Sequence, residues 1–347
     1  MRTILLATVA ALAVTGARAA ELNALVWCDH TDPALIEPFE QAHGVKVNLK
    51  EYEGTGTALS LVEQSRPGDW DVFVIDGIDV PRAVDAGLLA PLPAEALPTA
   101  DIFPEVVMAG NHTRDGKTYA VTEKFGYNTI SYNKSKVDAA TLADVTALWS
   151  DEAFKGRIAI YDYYLPVMGM VAMGLGKRTS ALTADDLPAI REALFGLKRN
   201  ARSVVDVVSS QTALATGEVD VLVGGGEWVT AILAAEQPEL DWMIPEQGAV
   251  RWSQSIGIFA DSEKKDLALE FVKYILSPEG QARLATSSCY WAMPANAKAG
   301  AVLSDQQKAA LRWDDQAEYL KRAQLYPAPD GDLDAAMQDV WTEMLQQ

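Results

Sequence analysis

Between residues 22 and 87 the chain alternates short apolar runs with helix signatures, and this alternation constrains its fold more than any other feature. Leu22 to Trp27 reads as a strand. Asp32-Pro33 then opens a helix: an Asp side chain caps free N–H groups, and proline is tolerated at the first helical position. Leu35, Ile36 and Phe39 share one face of that helix, and Gly44 stops it. Val45 to Leu49 alternates as a second strand, and residues 57–64 read as a helix. Trp70 to Asp76 is a buried-type strand, followed by a helix over 80–86 that Gly87 ends. Strand–helix repetition of this kind predicts an α/β fold with a parallel sheet covered on both faces.

The pattern then changes register. Strands are expected at 119–121 and 125–133, and the alternation restarts with strands at 157–161 and 218–223, the latter running into Gly224-Gly225-Gly226. A strand at 255–259 and a helix at 267–276, halted by Ser277-Pro278, close the main body, and the tail from Asp305 is charged and helical. The length of 347 residues suggests about two domains. No Pro/Gly/Ser linker separates them, so strands are expected to cross between two lobes, with a ligand cleft at the carboxyl ends of the strands. The expected division is 20–122 with 252–305 as one lobe, 123–251 as the other, and 306–347 as a helical segment packed on both.

Arg2, the apolar run Ile4 to Val14 and the small-x-small sequence Ala17-Arg18-Ala19 form a secretory leader over residues 1–19. The run is too short to span a bilayer, and no later stretch is long enough. The mature chain is therefore expected in the periplasm. The chain carries 48 acidic against 29 basic residues, and losing Arg2 and Arg18 with the leader deepens that imbalance. Nucleic acid is excluded as a partner, since phosphate binding needs a basic face. An acidic field favours cations. His30, His43 and His112 have no metal-ligand spacing, and no CxxC, HExxH, EF-hand or GxSxG pattern occurs, so neither metal nor cofactor is expected. Cys28 and Cys289 are the only cysteines, and an oxidising compartment favours their pairing; two buried free thiols are the alternative.

Several segments resemble, in order, those of the spermidine/putrescine-binding proteins. Trp27-Cys28-Asp29-His30-Thr31-Asp32-Pro33 resembles the turn after their first strand, and Asp69 to Val74 resembles their third strand. Phe154-Lys155-Gly156-Arg157 resembles the entry to their second lobe. Gly217-Glu218-Val219-Asp220, Trp252-Ser253-Gln254-Ser255, and Ala268 to Leu276 with Ser277-Pro278-Glu279 continue the match, which covers roughly residues 21–300. The resemblance implies a two-lobed, type II periplasmic-binding fold that clamps its ligand by hinge closure. It also implies a monomeric receptor serving the permease subunits of an ABC importer.

For the polyamine branch the resemblance implies an aromatic box with carboxylates at the amines. An ammonium leaving water does need a carboxylate or an aromatic face in return. Trp27, Trp252 and Tyr290 match box aromatics, and Asp29 and Asp162 match acidic positions. His30 and Asp76 stand where Tyr and Ser are usual. Glu227 and Trp228 follow the glycine turn as possible replacements for an Asp and a Trp. Cys28 and Tyr163 neighbour these residues and complete the candidate ligand set. Gln254 departs most from the pattern, standing where an Asp pairs with an amine; it suggests a ligand with one cationic end, a different amine spacing, or another class. Because the family places Trp27 and Tyr290 around one ligand, the resemblance also implies a Cys28–Cys289 disulfide. Helix caps are the bland alternative for Asp29 and Asp76, and core packing for the tryptophans. Quaternary ammonium, guanidino and phosphonate ligands, and an exported enzyme, are the competing functions.

Overall fold

The computed structural model describes residues 20–347; the leader expected over 1–19 lies outside the described residues. Nine main strands are β1 Ala20–Val26, β2 Val45–Glu51, β3 Val72–Asp76, β4 Ala120–Asn133, β5 Ile158–Tyr161, β6 Ala201–Val205, β7 Val221–Gly225, β8 Leu240–Met243 and β9 Ala249–Ile258. They run in the order β2-β1-β3-β9-β4-β7-β5-β6, with β8 paired to β4. The two ends of the array, β2-β1-β3 and β7-β5-β6, are parallel. Its middle is antiparallel, because β4 and β9 run against each other and against their outer neighbours β7 and β3.

Helices fill the connections between parallel strands, as a parallel crossover requires. The first is Pro33–His43. Asp32 Oδ1 caps it by accepting from Ala34 N, and Gly44 ends it at φ 63°, a left-handed conformation that glycine adopts without strain. Helix Tyr164–Gly174 carries nine consecutive buried residues from Leu165 to Met173, as a helix apolar on every side must.

Two hydrophobic cores result. Leu22, Val74, Ile75, Phe125 and Phe271 belong to one; Ile130, Ile160, Val167, Leu194 and Val223 belong to the other. β4 serves both, with Phe125 in the first core and Ile130 in the second. The sequence suggested two separate strands around 119–133, but β4 is a single strand of 14 residues. β9 begins at Ala249, six residues before the expected start, and so includes Trp252 and Gln254. The expected tail helix is interrupted. Ala323–Leu325 forms a short parallel strand on β9, and the last helix, Gly331–Leu345, packs Met337, Trp341 and Met344 into the second core. Among the described residues no helix is long and apolar enough to cross a membrane.

The candidate ligand cleft

A small cavity lies between the two cores, lined by residues of both. Residues at strand ends and on the crossing strands build it. Trp27 follows β1 and Asp76 ends β3; Tyr161 ends β5, with Tyr163 two residues beyond. Asn128 comes from β4, and Trp252 and Gln254 from β9. Val207, Trp228, Tyr290 and Tyr326 complete the lining. Of the twelve ligand residues expected from the sequence, the structure brings seven together here: Trp27, Asp76, Tyr163, Trp228, Trp252, Gln254 and Tyr290.

Two aromatic pairs meet edge to face, Trp252 with Tyr290 at 6.1 Å between centroids and Tyr163 with Tyr326 at 5.6 Å, while Tyr161 and Trp228 lie tilted at 4.9 Å. In the pairing of β9 with β4, Trp252 lies opposite Gly126. A Cβ at 126 would collide with the Trp252 ring and with Glu227 Oε1, so this glycine makes room for both. Asn128 is tied down on two sides: its Oδ1 accepts from the Tyr326 hydroxyl at 2.7 Å, and its Nδ2 donates to Gly224 O at 2.8 Å.

Asp76 is the one carboxylate among the described lining residues. The Tyr163 hydroxyl donates to its Oδ2 at 3.1 Å, joining the two sides of the cleft. Burial pushes this carboxyl up to about 8, the Asp79 charge adds to the rise, and the Tyr163 hydrogen bond opposes it. No cationic side chain is paired with it among the described ion pairs.

Asp29 and His30 lie elsewhere. Both are fully buried behind the cavity wall, outside the lining. Asp29 Oδ2 lies 2.9 Å from Lys124 Nζ, and Asp29 Oδ1 lies 2.9 Å from His30 Nδ1. His30 Nε2 lies 3.0 Å from Glu123 Oε1. Two cations thus face two carboxylates. Burial would raise the Asp29 carboxyl, but Lys124 and His30 overcome it and hold the group well below the usual carboxylate range. Burial would likewise deprotonate His30, but Glu123 and Asp29 lift it to about 10. Both residues were expected at the ligand because the matching family positions are. Here Lys124, which the sequence did not single out, satisfies the acid internally.

A β-bulge explains how one strand supplies two partners. Gln254 lies opposite Lys124 and Ser255 opposite Thr122, so Glu123 is an extra residue in β4. Bulges re-aim side chains in this way, and consecutive residues 123 and 124 both reach the Asp29–His30 pair. The network also touches the wall. Gln254 Nε2 donates to the Tyr290 hydroxyl at 2.8 Å and approaches Asp29 Oδ1 at 3.4 Å. Lys124 Nζ sits 4.1 Å from the centroid of the Tyr290 ring.

The three remaining candidates also lie outside the lining. Asp162 is exposed and accepts from Trp341 Nε1 at 3.3 Å, because the final helix covers that side. Glu227 is fully buried beneath the cavity, and its Oε1 accepts from Tyr127 N at 2.9 Å. Burial pushes its carboxyl up to about 8 against that hydrogen bond. Cys28 is bonded to Cys289, with Cα atoms 6.0 Å apart, which ties the turn after Trp27 to the segment before Tyr290. Gln211 Nε2 donates to Cys289 O at 2.8 Å, a further contact across the cleft. Among the described residues no cluster of His, Cys, Asp and Glu is arranged to hold a metal ion.

A family profile for bacterial extracellular solute-binding proteins matches residues 34–311. The chain belongs to this family. It is the solute-binding protein of an ABC transporter and not an enzyme. The spermidine/putrescine-binding periplasmic protein of Salmonella typhimurium is 24% identical over 283 residues, covering 80% of each chain. A solved Listeria monocytogenes structure assigned to spermidine/putrescine ABC transport superposes with TM-score 0.82 at 23% identity, covering 94% of this chain and 99% of that one. AgtB from A. tumefaciens R10, in complex with agropinic acid, superposes with TM-score 0.72 at 20% identity, covering 94% and 99%. This solute-binding protein therefore has the two-lobed periplasmic-binding fold, with strands crossing between the lobes. The last neighbour shows that the same fold also takes ligands other than polyamines.

Proposed function

We propose that this protein is the periplasmic receptor of an ABC importer for a small organic cation, a polyamine or a related amine. One observation carries the reading: a single buried carboxylate, Asp76, faces a cavity otherwise walled by aromatic rings and neutral amides. An ammonium placed there gains the carboxylate on one side and ring faces on the others, replacing the water it loses. The lobes 20–122 with 252–305 and 123–251 would close on the ligand as rigid bodies, and the closed pair would be read by the permease subunits. Tyr163 and Asp76, one from each side, would form the latch. The acidic surface would raise the local concentration of cations at the cleft.

Calorimetry and thermal-shift measurements with putrescine, spermidine, mono-amines, quaternary ammonium compounds, guanidino compounds and phosphonates test the proposal. The expected result is saturable binding of at least one amine, with a rise in melting temperature that grows with ligand concentration. Tight binding of a phosphonate or a neutral sugar, with no response to any amine, would refute it.

A further inference from the structure

We propose that Lys124 is a tethered counter-ion, which occupies Asp29 in place of a second ligand ammonium and so restricts the cleft to ligands with one cationic group. The inference rests on the reading of the cleft as a site for organic cations, and it names the charge of the ligand. Three observations carry it. First, Lys124 Nζ is fully buried and 2.9 Å from Asp29 Oδ2, so the carboxylate nearest the Gln254 end of the cavity already has its cation. Second, the same ammonium lies 4.1 Å from the centre of the Tyr290 ring, so one face of that wall aromatic is taken as well. A second ligand ammonium would seek these same two groups, an acid and a ring face. Third, Gln254 stands between the network and the cavity. Asp29 can only accept, so the amide points its Nε2 toward Asp29 and Tyr290. Its Oε1 is buried with no hydrogen-bond partner, which leaves a neutral acceptor at that end for an N–H or O–H of the ligand.

Charge balance follows from the geometry. Asp29 and Glu123 face Lys124 and His30, and the set presents no net charge to the cavity. Asp76 at the other end is the one carboxylate among the described residues that line the cavity. A dication would bring its second ammonium toward a set that is already balanced, where no unpaired carboxylate repays the water it loses.

The test compares 1,4-diaminobutane with 4-aminobutan-1-ol, which have equal length but two and one ammonium groups, by calorimetry at pH 8. The wild-type protein should bind the mono-amine at least as tightly as the diamine. Lys124→Met leaves an unmatched carboxylate and should shift the affinity ratio toward the diamine by on the order of ten-fold or more. Asp29→Asn leaves the ammonium unmatched and should shift the ratio the opposite way. The double variant Lys124→Met/Asp29→Asn replaces the pair by neutral groups, which buried pairs commonly tolerate, and should return the wild-type ratio within about twofold. If one single variant fails to fold, the other and the double variant carry the comparison. Unchanged ratios in the folded single variants, or a shifted ratio in the double variant, would overturn the role of Lys124. A wild-type preference for the diamine would overturn it too, while leaving the cation reading intact. Failure of the wild-type protein to bind either compound, with no response to any other amine, would instead overturn the cation reading itself.

Discussion

Asp29 and Asp76 are both buried acids near strand ends on the same side of the cleft, yet their surroundings differ in kind. Asp29 sits among Lys124, His30 and Gln254 and is held well below its ordinary range. Asp76 accepts from one neutral hydroxyl, lies near the Asp79 charge, and is pushed up to about 8 by burial. Burial acts on both, and the presence or absence of a cation decides the outcome. A carboxylate already satisfied from within serves structure; one left without a cation in a ring-lined cavity is placed for a ligand.

Breaking the first corner should have the larger effect. Asp29→Ala strands Lys124 and His30 in the interior, and removing one member of a buried ion set costs about 3–5 kcal/mol of stability. Urea unfolding would measure it as a lower midpoint at unchanged slope. The pH limits of this corner follow from the same shifts. Asp29 is depressed, so its contribution is present above the ordinary carboxylate range and is lost as acid protonates it. His30 is raised to about 10, so its contribution is complete below about 6.5 and is lost as pH rises through about 10.

The second corner should behave in the opposite way. Asp76→Asn should leave the stability of the unliganded protein unchanged or higher, because it removes a costly buried acid. It should weaken the best amine ligand by about 2–4 kcal/mol, the usual loss when a desolvated charge partner is removed. A large loss of stability with intact affinity would make Asp76 a second structural acid and erase the contrast.

Trp252→Ala should weaken binding by about 1–2 kcal/mol, the worth of a desolvated cation on an indole, with little change in unliganded stability. Unchanged affinity with a large stability loss would assign the ring to the core. Gln254→Asp should have the smallest effect, a gain of about 1 kcal/mol or less for 1,4-diaminobutane. The new acid would lie beside Asp29 and its charge would be partly suppressed by that neighbour.

Much of this was legible in the chain. Alternation over residues 22–87 announced the parallel strands β2-β1-β3 but not the antiparallel middle of the sheet, and Asp32-Pro33 and Gly44 marked the first helix. The resemblance to the spermidine/putrescine-binding proteins named seven of the residues that line the cavity. The failures share one cause, since they depend on pairing across long sequence separations. Lys124 meets Asp29 from 95 residues away through a bulge in β4, and periodicity says nothing about bulges. A clue did exist: Glu123 and Lys124 are adjacent charges inside a run of strand-forming residues, and buried charges need partners. Tyr326 was missed because the tail read as helical, whereas the short strand Ala323–Leu325 returns the chain to β9 and delivers this ring to the cavity. Asn128 and Tyr161 were read as strand residues without the register that turns them inward.

If Asp76 is the acid that receives the ammonium, the ligand must ionise it on binding. Buried as it is in this structure, Asp76 keeps a proton below about pH 8; a bound ammonium needs the carboxylate, so binding to this form at pH 7 must expel that proton. Affinity should accordingly rise with pH and level off above about 8. Calorimetry of the tightest-binding amine at pH 7, repeated in buffers of different ionisation enthalpy, reads the proton directly. The expected result is a buffer-dependent heat corresponding to release of a substantial fraction of one proton, which disappears in Asp76→Asn along with most of the affinity. A heat independent of buffer, with Asp76→Asn binding as tightly as the wild type, would contradict it.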